Sequence, residues 1–95
     1  SSMMERVLSP YLMLKYCGNI EKDTDLNELD SGAYYYFIEV GEISNSPGFE
    51  RFILLQLSVG SFHVQVAFAV IYSGVKWRTK HGGDSWQSWN AISFT

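Results

Sequence analysis

Residues 49–72, FERFILLQLSVGSFHVQVAFAVIY, decide the fold, because two apolar runs are separated by a glycine and a serine. The first run, residues 49–59, alternates imperfectly between apolar and polar side chains, as a half-buried strand does. Gly60 and Ser61 supply the two residues of a tight connection. The second run, residues 62–72, alternates clearly at first and then becomes wholly apolar, which is typical of a central strand. The segment therefore predicts a β-hairpin.

Shorter strand signals lie on both sides of this hairpin. Asp25 followed by Leu26, Asn27, Glu28 and Leu29 predicts one N-capped helical turn. Glycine, serine, asparagine and proline punctuate the chain between the apolar runs and predict turns there. Further strands are expected at Tyr11–Tyr16, Ala33–Val40, Val75–Lys80 and Ala91–Phe94. We therefore predict a small, single-domain, all-β protein, an antiparallel β-meander sheet with one short helical turn.

The composition fits one compact core. The chain has 95 residues, of which 46% are hydrophobic and only 18% are charged, so it is expected to fold and not to be disordered. Aromatic residues make up 16%, more than a small core usually holds. The surplus rings either fill a β core or face a subunit interface or a ligand, and the composition leaves both alternatives open.

Charge and cysteine content exclude several classes of protein. The net charge of -3 gives no positive field for phosphates, so nucleic acid is not an expected partner. No apolar stretch approaches the roughly 20 residues that cross a bilayer, and we predict neither a signal peptide nor membrane insertion. The single cysteine, Cys17, supports neither a disulfide framework nor a structural zinc site, so a bacterial cytosol suffices for folding.

Signatures of catalysis and metal binding are also missing from the sequence. His63 and His81 lie in a predicted strand and a predicted loop, without a nucleophile motif nearby. Gly82 and Gly83 open no helix and so form no phosphate cradle. The acidic residues between positions 21 and 30 lack the glycine and closing glutamate of a calcium loop. We therefore predict no enzyme, no metal site and no cofactor.

The three tryptophans near the end of the chain are the strongest concentration of candidate binding groups. Trp77, Trp86 and Trp89 carry flat apolar rings that stack on sugars as well as filling cores. The alternative is that Trp77 and Trp89 interlock two strands or two subunits.

Several short motifs occur in an order that resembles a known family. They are DTDLNEL, SGAYYY, NSPGF, FILLQL, VQVAF and WRTKHGGDSWQSW, and they span about residues 18 to 95. In this order the chain resembles the pyocin knob domain, found in tail fibres of phages and of R-type pyocins. The matching positions are Asp25, Leu26, Asn27, Gly32, Tyr34, Tyr35, Asn45, Pro47, Leu54, Leu55, Gln65, Arg78, Thr79, Trp86 and Trp89. The chain departs from the pattern before Gly18, and the run from Tyr34 to Phe37 is more aromatic than the pattern asks.

The resemblance implies a non-enzymatic domain of a homotrimeric tail fibre, made in the bacterial host cytoplasm and carried on the virion. Residues 1–17 are then an N-terminal lead-in with the first strand, and residues 18–95 are the knob-like domain. The implied role is attachment to the host through a bacterial surface polysaccharide or protein, and the alternative is a structural spacer that stabilises the trimer. Because loops on a rigid sheet usually carry recognition, the candidate contact residues are Asn45, Arg78, Lys80, His81, Trp86 and Trp89.

Overall fold

The described residues form one six-stranded sheet, with the strands in the order of the sequence. The computed structural model describes residues 15–38, 41–71 and 73–92. The strands are β1 (Lys15–Asn19), β2 (Ala33–Ile38), β3 (Arg51–Val59), β4 (Phe62–Ala69), β5 (Val75–His81) and β6 (Asn90–Ile92). A single 3-10 turn, Leu26–Glu28, is the helical element of the described residues. The all-β class and the single short helical turn are confirmed.

The predicted hairpin is formed by β3 and β4. The two strands pair in antiparallel fashion from Phe52 opposite Ala69 to Val59 opposite Phe62. Because Val59 pairs with Phe62, Gly60 is the first of the two central residues of the turn. Its φ of 60° is the positive value that a type II′ turn requires at this position. A side chain there would be strained, so the glycine fixes the register of the hairpin.

From β2 to β6 the sheet is the expected antiparallel meander. The exception is β1, which pairs with β2 in parallel, so the sheet is mixed. Parallel neighbours need a crossover of about a dozen residues or more. Residues 20–32, which contain the 3-10 turn, form that crossover. β1 also continues to Asn19, three residues beyond the end of the predicted strand at Tyr16.

Parts of four predicted strands lie outside the described residues. These are residues 11–14 of the first strand, residues 39–40 of the second, residue 72 of the second hairpin run and residues 93–94 of the last strand. The described parts of the first, second and last of these strands are paired in the sheet. The second hairpin run is shorter than predicted, because β4 ends at Ala69.

The 3-10 turn begins as the sequence predicts. Asp25 is its N-cap, and the carboxylate accepts a hydrogen bond of 2.9 Å from the backbone N–H of Asn27. Leu26, which follows the cap, is fully buried against the sheet. The turn therefore holds one apolar anchor of the crossover in the core.

One face of the sheet, called here the covered face, carries the core. Phe37, Phe52, Leu54 and Ala67 alternate onto this face of the central strands and are buried. The loops cover them with side chains that pack on the same cluster, namely Ile20, Leu26, Leu29, Ile43, Phe49 and Trp89. The opposite face, called here the open face, carries the alternating residues between them. Leu55 lies there, half-buried, whereas its neighbour Leu54 is in the core.

Candidate functional site

A chain of three polar side chains crosses the covered face. Gln56, Gln65 and Arg78 occupy facing positions on β3, β4 and β5, and all three are buried. Gln65 donates to the Gln56 side-chain oxygen over 2.6 Å and to the backbone oxygen of Leu26. The Nε of Arg78 donates to the side-chain oxygen of Gln65 over 2.8 Å. Gln65 is therefore the residue that connects the crossover, Gln56 and Arg78 by hydrogen bonds.

The guanidinium of Arg78 lies between two tryptophan rings. Its central carbon is 4.4 Å from the ring centroid of Trp86 and 4.8 Å from that of Trp89. Cation–π contacts of this kind are stronger when the cation is removed from water, and Arg78 is only 3% exposed. Burial lowers the pKa of Arg78 to about 10, against the opposing effect of the nearby Asp25 charge, so the guanidinium stays charged at neutral pH.

The tryptophans are supplied by the loop between β5 and β6, which folds back along the sheet. Its backbone is attached to β5 by a hydrogen bond of 2.9 Å from the N–H of Gln87 to the carbonyl oxygen of Thr79. The indole N–H of Trp89 donates to the carbonyl oxygen of Asn45 over 2.8 Å. The loop is therefore fixed to both the sheet and the loop between β2 and β3.

Asp25 and Asn45 join the crossover to the loop between β2 and β3 at the same place. The side-chain nitrogen of Asn45 donates to the Asp25 carboxylate over 2.6 Å. The hydrogen bond from the Asn27 backbone and then this one hold the pKa of Asp25 below its ordinary value. Asn45 has a φ of 63°, a left-handed conformation that asparagine tolerates better than most residues. Three loops distant in sequence thus meet around one arginine.

The meeting of these loops forms a cleft of about 340 Å³, called here the Trp–Arg cleft. It is lined by Asn27, Asn45, Arg78, Ser85, Trp86, Gln87, Ser88 and Trp89. Two buried donors in its walls, Nη2 of Arg78 and Nε1 of Trp86, make no hydrogen bond within the described part of the chain. Buried donors without an acceptor cost free energy, so the cleft favours a molecule rich in oxygen acceptors.

Four of the six candidate residues meet in this cleft, namely Asn45, Arg78, Trp86 and Trp89. Lys80 lies beside it, in a smaller cavity of about 80 Å³ that also touches Trp86. His81 is on the open face, with its ring stacked on Phe62 at 4.7 Å and its Nδ1 3.9 Å from the Asp84 carboxylate. The structure therefore separates His81 from the others.

One of the alternatives considered for the tryptophans is also resolved. Trp77 is opposite Asn90 on the open face, whereas Trp89 stacks on Arg78 on the covered face. An interlock between Trp77 and Trp89 within one chain is therefore wrong. Sequence reasoning gave no site role to Gln56 and Gln65, although two glutamines at inward positions of apolar strands are a readable signal of a buried polar connection.

No group of three or more metal-ligating side chains lies together within residues 15–38, 41–71 and 73–92. In those same ranges, no helix is long and apolar enough to span a bilayer.

Comparisons with known proteins give no match: no family model, no curated protein and no solved structure is similar to this chain. The resemblance to the pyocin knob domain therefore stays a prediction that depends on the motifs quoted above.

Proposed function

We propose that this chain is a non-enzymatic module of a phage or phage-derived tail fibre, which helps to attach the particle to the bacterial host surface by binding carbohydrate. The observation that supports binding is the Trp–Arg cleft, with two aromatic rings and two donors without acceptors in its walls. Sugars offer both apolar C–H faces and many oxygen acceptors, so they suit such a lining. The fibre context and the homotrimer are supported only by the order of the motifs.

The test removes one donor of the cleft without removing its ring. Trp86→Phe deletes the unpaired Nε1 but keeps an aromatic face beside Arg78. We expect the variant to lose about fivefold in affinity for the glycan that the wild-type chain binds on an array of bacterial surface polysaccharides, since one hydrogen bond is worth about 1 kcal/mol. Trp77→Phe, on the open face, is the matched control and should bind as the wild type does.

Two results would count against carbohydrate binding. The first is a folded wild-type chain that retains no polysaccharide from the array and attaches to no bacterial cells. The second is equal binding by the Trp86 and Trp77 variants, which would move the ligand away from the cleft.

A second candidate function is a structural spacer that stabilises the fibre trimer and binds no ligand. It is favoured by the contacts of Arg78 with Trp86 and Trp89, because the guanidinium packs on both rings within one chain. A chain that forms trimers and binds neither polysaccharide nor cells would support the spacer and exclude the attachment role for this domain.

A further inference from the structure

The open face of the sheet is apolar across all six strands. Large side chains on it include Tyr34, Ile53, Phe68, Trp77 and Ile92, which are between 37% and 44% exposed. The strand register places them on one side, because each alternates with a residue of the covered face. The loops whose side chains pack on the core lie over the covered face, and not over the open face. The described part of the chain thus leaves a broad hydrophobic surface in water.

The size of this surface is at the upper end of what a monomer exposes. The six strands are three to nine residues long and average about six. At about 4.8 Å between strands and about 3.3 Å per residue, they give a face of roughly 500 Å² in projection. Monomeric proteins rarely expose apolar patches larger than a few hundred Å², and a specific interface buries at least about 1,000 Å² in total from its two partners. Two such faces together therefore reach the lower end of the size of a specific interface.

The charge of the face suits a second copy of itself. Arg51, at one end of β3, is the only Asp, Glu, Lys or Arg that the described strands place on this side. Identical faces can therefore meet without a row of like charges. A polysaccharide needs hydrogen-bond partners for its hydroxyl groups, and the aliphatic and aromatic side chains at the centre of the face supply few.

The shape of the face also suits a copy. Sheets with the same twist pack face to face with their strands about 30° apart, and identical chains have identical twist. We infer that the open face is the surface through which copies of this chain associate. Association in threes rests on the proposed fibre function, whereas the choice of face rests on the sheet.

The experiment places a charge at the centre of the face in the full 95-residue chain. Ile53 and Phe68 are opposite each other on β3 and β4, so Ile53→Glu introduces an acidic group in the middle of the proposed interface. Sedimentation equilibrium over a range of micromolar concentrations should show an oligomer for the wild type and a monomer for the variant. We expect association to weaken about a hundredfold or more, since a buried unpaired charge is strongly unfavourable.

Ile71→Glu is the matched control. Ile71 is 37% exposed, close to the 42% of Ile53, but it follows β4 and lies outside the strands. Its oligomeric state should equal that of the wild type. Phe68→Glu is the second interface variant, so that one misfolded protein does not decide the result, and circular dichroism checks that each variant is folded.

Acrylamide quenching of Trp77 fluorescence distinguishes burial of the open face by a second copy from burial by other residues of the same chain. The signal of Trp77 is the difference between the wild type and Trp77→Phe. Protection that increases with protein concentration supports association of copies. Protection that is independent of concentration in a monomer means that another part of the same chain covers the face and overturns the inference.

Three other results bear on the inference that copies associate through the open face. A wild type that is monomeric at every concentration overturns the inference, and so does an oligomer that both glutamate variants leave intact. A dimer that the variants dissociate supports the open face but contradicts the homotrimer. Failure to bind polysaccharide contradicts the proposed attachment function and leaves association through this face unaffected.

Discussion

The two faces of the sheet differ in how far their apolar side chains are buried. On the covered face, loops supply apolar side chains that pack on the sheet, and hydrogen bonds join the buried side chains of Gln56, Gln65 and Arg78. On the open face, alternating apolar residues such as Ile53 and Phe68 meet no loop of the described chain. The comparison teaches that the alternation of side chains makes both faces apolar, while the described residues cover only one of them.

The largest expected effect comes from truncating neighbouring leucines on opposite faces. Leu54→Ala should lower the free energy of unfolding by about 3–4 kcal/mol, because Leu54 is fully buried in the core. Leu55→Ala removes the same atoms from the half-buried open face and should cost about 1 kcal/mol in the dilute monomer. Urea unfolding at low protein concentration measures both. Equal losses would show that the open face is already packed within one chain.

The next effect tests the polar chain of the covered face. Gln65→Leu keeps side-chain size but leaves Arg78 Nε, the Leu26 carbonyl oxygen and the Gln56 side chain without their partner. We expect a loss of about 3 kcal/mol, since each buried group left unpaired costs about 1 kcal/mol or more. Gln56→Leu removes a terminal member and should cost about 1 kcal/mol. Thermal unfolding of the two variants measures the difference, and similar losses would mean that Gln65 is not the central connection.

The smallest expected effect is the change of stability when Asp25 is protonated at low pH. The folded-state pKa of this carboxyl is below its ordinary value of 3.8, so its ionised form contributes stability above about pH 4. That contribution is lost as the pH falls through the folded-state pKa. Asp25→Asn keeps a capping oxygen but cannot ionise, so its melting temperature should be slightly lower at neutral pH and approach the wild type in acid. A difference in melting temperature that stays constant from about pH 6 to about pH 2.5 would contradict the role of the charge.

Alternation and turn residues predicted most of the sheet. The run around Gly60 specifies a hairpin because side-chain period and a glycine at the turn are local properties. The direction of β1 was not predictable in the same way, since periodicity shows which side chains share a face and is silent on which way a neighbouring strand runs. Only the crossover, residues 20–32, makes β1 parallel to β2.

The sequence predicted individual residues of the Trp–Arg cleft, but not that they lie together. Asn45, Arg78, Trp86 and Trp89 were chosen for their chemistry, but their meeting depends on contacts between distant loops. One part of the result was available from strand parity. Arg78 and Lys80 are separated by two positions and share a face, whereas His81 is one position further and must lie on the other.

We expect the cleft to form late in folding, because the hydrogen bonds that hold it join residues far apart in sequence. The hydrogen bond from Trp89 to Asn45 joins residues 44 positions apart, and the one from Gln65 to Leu26 joins residues 39 positions apart. Such long loops close only after the strands between them have paired, because their entropy must first be offset. Emission from the indole of Trp89 therefore reports completion of the native state, and a partly folded chain has no binding cleft to offer.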